Sequence, residues 1–278
     1  MTTLAELRAK HTQMLSDENK SGGSGGKDWA SLNDGDNIVR FLPGKEEPLD
    51  FFVEGTLHKY KDSEGHWRSY KCRKPHGEDC PMCNLYFDLW DRHKALNLGK
   101  DAQGKQKHSK FGSLATLIKA KPRYYAKIVV RDLQNSDEES PVKFLAMSQR
   151  LFNIVMGAVL DPDYQDEDDP DNTTVLSLDK GNDFNIRITK QGEFNSFDES
   201  KAKPKKSRAG SPKEVQEWME SELDLKSLVE IDSYEKGREV VQMLEASLSS
   251  DGTPSKPKAP ESNVDDDGEE EFNKELKV

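Results

Sequence analysis

No part of this sequence is apolar for long enough to cross a membrane. The amino-terminal MTTLAELRAKHTQML contains no apolar stretch of signal-peptide length, and the most apolar window, LFNIVMGAVL at 151–160, is too short to span a bilayer. A soluble, intracellular protein without a membrane partner is therefore expected. Apolar residues are also scarce, at 33% against an equal 33% of charged ones, so only part of the chain can pack, as a single core with polar tails. Cysteine is scarcer still. Its three copies are odd in number and crowded between Cys72 and Cys83, which argues against a disulfide framework and for metal or redox chemistry. The sequence also lacks a phosphate-cradling glycine motif, a nucleophile elbow and any internal repeat, so no catalytic constellation is read and the chain is not expected to be an enzyme.

What is present is charge, unevenly placed. The net charge of -11 looks hostile to nucleic acid, but seven acids and no base lie in DPDYQDEDDPD at 161–171, and nine acids against four bases lie at 251–278. Residues 56–131 carry seventeen bases against seven acids, a net of +10. The chain is basic in its middle and acidic in one loop and at its end.

Residues 1–20 suggest a short amphipathic helix with Leu4 and Leu7 on one side, followed by the flexible SGGSGG at 21–26. Strand-like runs follow at 37–43, 49–55, 124–132, 142–147, 173–178 and 184–190; in the last, Phe184, Ile186 and Ile188 alternate with polar residues. Their number and irregular spacing suggest a small barrel or sandwich. Helices are predicted from Ser148 as N-cap through 158, at 211–219 behind the capping box of Ser211 and Glu214, and at 234–246. From Ser247 onward there is almost nothing to bury, and 248–278 reads as disordered.

Cys80-Pro-Met-Cys83 places two thiolates on a tight turn, a spacing that lets both sulfurs reach one tetrahedral ion at about 2.3 Å, with Cys72 just upstream. A closed structural zinc site needs a fourth ligand, and three histidines compete. His76 would have to close two very small rings, and a strand from 67 to 72 would carry His66 away. LHKYKDSEGHWRSYKC reads as a hairpin turning at 62–65, which returns His58 to the side of Cys72. Geometry thus ranks His58 ahead of His76, with His66 third. A thiol-disulfide oxidoreductase using Cys80 and Cys83 is the redox alternative; it would need an apolar strand before Cys80, where the sequence has the polar KCRKPHGED.

The basic middle also holds nine aromatics, among them Trp67, Tyr70, Phe87, Trp90, Tyr124 and Tyr125. Cations interleaved with flat rings are what a single-stranded nucleic acid requires, for phosphate contact and base stacking. KAKPRYYAK at 119–127, with Arg123 at its centre, is the densest case, and Trp67 is a further candidate. Phe87, Trp90 and one of Tyr124 and Tyr125 are expected in the core, since alternation turns neighbouring tyrosines to opposite faces.

NIVRFLPGK at 37–45, His58, EGHWRSYKC and HGEDCPMC within 64–83, KAKPRYYAKIVVRD at 119–132 and FNSFDESK at 194–201 resemble, in order, the single-stranded DNA-binding (helix-destabilising) proteins of T4-like tailed phages. That resemblance implies a mainly β, α+β protein. Its OB-fold core, at 37–247, would carry a zinc subdomain at about 56–110 and peripheral helices, between a self-association arm at 1–20 with a linker at 21–36 and an acidic tail at 248–278. It implies zinc ligands at His58, Cys72, Cys80 and Cys83, and DNA contacts at Arg40, Lys119, Lys121, Tyr124, Phe194 and Phe197. It further implies coating of single-stranded DNA in replication, recombination and repair, in the cytoplasm of an infected bacterium, with phage replication and recombination proteins docking on the tail. Two departures stand out. The amino terminus lacks the compact basic cluster that drives cooperative self-association in this group, and Ala120 and Pro122 interrupt the internal version. A zinc-stabilised module that recruits proteins rather than DNA is the other alternative.

Overall fold

The computed structural model describes residues 3–8, 28–100, 107–136, 140–167, 169, 171–191 and 194–249. The SGGSGG linker and the acidic segment beyond 249 lie outside the described residues. The architecture is a mainly β, antiparallel one with peripheral helices, as expected. Its contacts divide the described residues into two units, one built from residues before 55 and from 122–228, the other from 55–121 and 229–249.

In the first unit, β1 (Gly35–Phe41) lies between β4 (Lys121–Val130) and β6 (Gly181–Gln191), antiparallel to both, with Val39 opposite Val130 on one side and Phe184 on the other. β5 (Val142–Met147) extends the sheet from β4, while β7 (Phe194–Ser196) and β8 (Lys201–Ser207) both pair with β6. The alternation predicted for 184–190 holds: Phe184, Ile186 and Ile188 enter the core. They meet Leu151, Phe152, Val155 and Met156 from the helix Gln149–Leu160, which is capped by Ser148 Oγ accepting from the Leu151 N–H. The Ser211 capping box also forms, opening the helix Pro212–Met219.

Two expectations are corrected. TTVLSL at 173–178 is not a strand but a series of turns: Val175 and Leu176 are buried, and the Thr174 carbonyl accepts from both Ser177 and Asn182. A short apolar run signals burial without fixing backbone conformation. Within 28–36, taken as linker, residues 28–30 lie along β5, where Trp29 bridges Phe144 and the Phe144 amide donates to the Asp28 carbonyl, and Gly35 and Asp36 already belong to β1. Leu4 and Leu7, on a helical turn at 4–8, are buried in the core that also holds Val39 and Phe41 of β1.

The second unit holds the hairpin of β2 (Phe52–Lys61), from Gly55 on, and β3 (Trp67–Lys71), with helices α1 (Pro81–Ala95), α2 (Lys110–Ile118) and α5 (Tyr234–Ser249). The helices between them in the chain are α3 (Gln149–Leu160) and α4 (Pro212–Met219), both in the first unit. The core of this unit joins Tyr60, Tyr70, Leu85, Leu89, Ile118, Val240 and Leu244 to the three cysteines. α5 runs three residues past the predicted end at 246, so the chain is helical where the tail was expected to begin.

Candidate functional site

The hairpin turns where predicted. The Asp62 amide donates to the His66 carbonyl, and Gly65, at φ +84°, takes the left-handed conformation that a residue without Cβ enters cheaply. Register places His58 opposite Tyr70. With a side-chain period of two, His58, Tyr60, Tyr70 and Cys72 share one face, and all four are buried. Beyond Cys72 the chain makes a single 3-10 turn, Lys74–His76, reverses at Gly77 and enters α1 with Cys80 as N-cap, Pro81 in the first turn and Cys83 two residues on.

The four expected ligands converge. One donor atom from each of His58, Cys72, Cys80 and Cys83 lies within 4.8 Å of the other three, and all four residues are buried. His58 Nε2 is 3.4 Å from Cys80 Sγ and 3.5 Å from Cys83 Sγ, and Cys72 Sγ is 3.8 and 3.5 Å from the same two sulfurs. Around a tetrahedral ion with bonds of about 2.3 Å to sulfur and about 2.05 Å to nitrogen, those edges would be about 3.8 Å and about 3.6 Å. Disulfide bonding, at about 2.05 Å, is excluded at these separations.

The tautomer also fits. His58 Nδ1 lies 2.7 Å from the Ile118 carbonyl, which can only accept, so Nδ1 carries the proton and the Nε2 lone pair faces the sulfurs. His66 and His76 are exposed and outside the cluster, which closes the question the spacing left open. Burial opposes charging His58, but hydrogen bonds to Cys72, Cys80 and the Ile118 carbonyl outweigh it and push the ring up to about 9, so that without a metal ion Nε2 takes a proton in the position the ion would fill. Hydrogen bonds from Cys72 and Cys83 press Cys80 well below the usual thiol range, and the same sharing pushes Cys83 up. Three sulfurs and an imidazole nitrogen facing one another in a buried pocket form a donor set for a single cation. These residues can hold one metal ion, with no coordination position left for substrate. The redox alternative does find a helix beginning after Cys80, but it follows a polar turn, and a third sulfur and a histidine already occupy the space around both thiols.

The residues expected to meet nucleic acid are distributed differently. Trp67, at 40% exposure, is open on the hairpin with Lys61 Nζ 5.0 Å from its ring centroid. Lys119 and Lys121 are half-buried at the end of α2 and the start of β4, and Phe194 opens β7 opposite Gln191. Arg40, Arg123, Tyr124 and Phe197 are buried. The Arg40 guanidinium donates to Asp183 Oδ1 and to the carbonyls of Ser177, Gly181 and Ser207. Tyr124 stacks on Phe152 with ring centroids 3.8 Å apart and donates its hydroxyl to Gln149. Alternation sent Tyr125 to the other face of β4, as expected, but that face is covered too, because Trp29 packs edge-on against it at 5.8 Å. Conversely Phe87, expected in the core, is 60% exposed on α1.

A family model described as gp32 DNA binding protein like matches residues 33–247. No curated protein matches the chain.

Proposed function

This chain belongs to the gp32 DNA-binding-protein-like family, and from that membership we propose that it coats single-stranded DNA without sequence preference, as a phage protein of replication, recombination and repair acting in the host cytoplasm. The match across 33–247, which takes in elements of both units, carries this reading. Trp67 beneath an ammonium group supplies a ring on which an unpaired base can stack, with Lys119, Lys121 and Phe194 as further contacts. Arg40, Arg123, Tyr124 and Phe197 support the binding surface from inside. Zinc is the metal best matched by one imidazole and three thiolates in tetrahedral array, and with all four positions filled its role is structural. The acidic segment beyond 249 docks partner proteins and competes with phosphate for basic surface.

Titration with oligo-dT at several salt concentrations tests this. Aromatic fluorescence should quench, and affinity should fall steeply with salt, by about 0.7 in log-log slope per phosphate neutralised. A chain ending at Ser249 should bind more tightly at low salt. Absence of binding at low salt, or tight binding with a flat salt response, would sink the reading.

A further inference from the structure

The densest run of positive charge lies outside the basic middle of the chain. Residues 201–208, KAKPKKSR, are β8 and its exit, and they hold five cations and no acid. A regular half-buried strand offers solvent every second side chain. β8 offers four in a row: Ala202 is buried, and Lys203, Pro204, Lys205 and Lys206 are all exposed. The register explains how. Phe184 pairs with Ala202 and Asn182 with Lys206, so a two-residue step on β6 faces a four-residue step on β8. The surplus forms a bulge, pinned by Asn182 Nδ2 donating to the Lys203 carbonyl at 2.8 Å, with Pro204, which has no N–H to satisfy, inside it.

Arg208 is paired with Asp179 at 2.7 Å. Among the described residues no acid forms an ion pair with Lys201, Lys203, Lys205 or Lys206, although the acidic segment 161–171 is tied to this strand by the Tyr164 hydroxyl on the Ala202 carbonyl, at 3.2 Å. Lysine, proline and a bulge also guard an edge strand against pairing with another chain. One or two charges achieve that, whereas four unpaired ammonium groups on one short strand repel one another and call for an anion that neutralises them. The segment has no aromatic side chain, so it can grip a backbone but not stack a base. Lysine, a point charge on a flexible stem, tracks phosphates without the fixed fork that would impose a register.

We propose that β8 is a phosphate-contact strand for single-stranded DNA, with Lys201, Lys203, Lys205 and Lys206 engaging three or four phosphates. This deepens the single-stranded DNA reading and rests on it. The test uses the full chain with all four lysines changed to glutamine, titrated with oligo-dT across salt concentrations. The log-log salt slope should become shallower by about 2 to 3, and affinity at about 0.1 M salt should fall on the order of 100-fold, while the quench at saturation stays the same. The four Lys→Arg changes should restore the slope. If the glutamine variant does not fold, Lys203→Gln with Lys205→Gln should give about half the change in slope. A wild-type chain that binds steeply with salt, beside a glutamine variant with the same slope and equal or higher affinity, overturns the inference and leaves the strand to an acidic protein segment or to edge protection. A wild-type chain that does not bind at all overturns the DNA reading itself, and this inference with it.

Discussion

Arg40 shows how one side chain can read as a surface cation in sequence and serve as an internal staple in structure. In NIVRFLPGK nothing distinguishes it from a phosphate contact, because its partners lie 137 to 167 residues downstream: Asp183 and the carbonyls of Ser177, Gly181 and Ser207. Burial presses its pKa down, and Asp183 counters by holding the charge. The fit extends to Gly181, where a Cβ would lie 2.5 Å from Arg40 Nη1. Removing a buried charge while its partners stay behind costs about 3 to 5 kcal/mol. Arg40→Met should therefore lower stability to urea by that order, without changing the salt slope of DNA binding in the fraction that remains folded. A variant of normal stability and shallower slope would return Arg40 to the DNA surface. The metal ligands were legible for the opposite reason: three of the four fall within twelve residues, and a hairpin of ordinary length returns the fourth.

Legibility at the scale of elements followed periodicity. β6 and α3 repeat their apolar residues cleanly and were found; the Ser148 and Ser211 caps located two helix starts. α1 was missed because it buries Leu85, Leu89 and His93 along a narrow stripe of an otherwise polar helix. β8 was missed because a bulged lysine-rich strand has neither alternation nor apolar bulk. α5 was read from Val240 and Leu244, but its docking rests on a residue that pattern does not reveal. A Cβ at Gly237 would lie 2.6 Å from the Tyr70 hydroxyl, closer than any side chain can sit. That hydroxyl donates to the Ser233 carbonyl, and Asp232 accepts from the Lys71 amide, so the start of α5 is tied to the hairpin that carries His58. Gly237→Val should lift α5 from the hairpin and destabilise this unit by about 1 to 3 kcal/mol, as overpacking does. Hydrogen exchange of Tyr70 and its β2 partners reads the effect, and unchanged protection would mean that the helix seats elsewhere.

For the whole molecule, the decisive fact is that two units with separate cores have unequal means of support. Among the described residues, the first packs long strands against α3 through more than twenty buried side chains; the core of the second has twelve, three of them the clustered cysteines. A structural metal adds on the order of 10 kcal/mol to folding. Chelation, or His58→Ala, should strip protection from 55–121 and from α5 while the first unit keeps its own; His76→Ala should leave one equivalent of metal bound. Hydrogen exchange with metal analysis of the same sample checks both, and an intact second unit in the metal-free chain would show the thiols to be incidental.

The second unit is also discontinuous in sequence, and that gives it a history on the ribosome. Its hairpin, cysteines and first two helices emerge before most of the other unit, yet α5, which seats over Tyr70, is made only after residues 122–228 of that unit. During elongation the Tyr70 face stays uncovered for more than a hundred residues of synthesis, and a metal ion taken up early by His58 and the three cysteines would hold the hairpin in shape until the closing helix arrives.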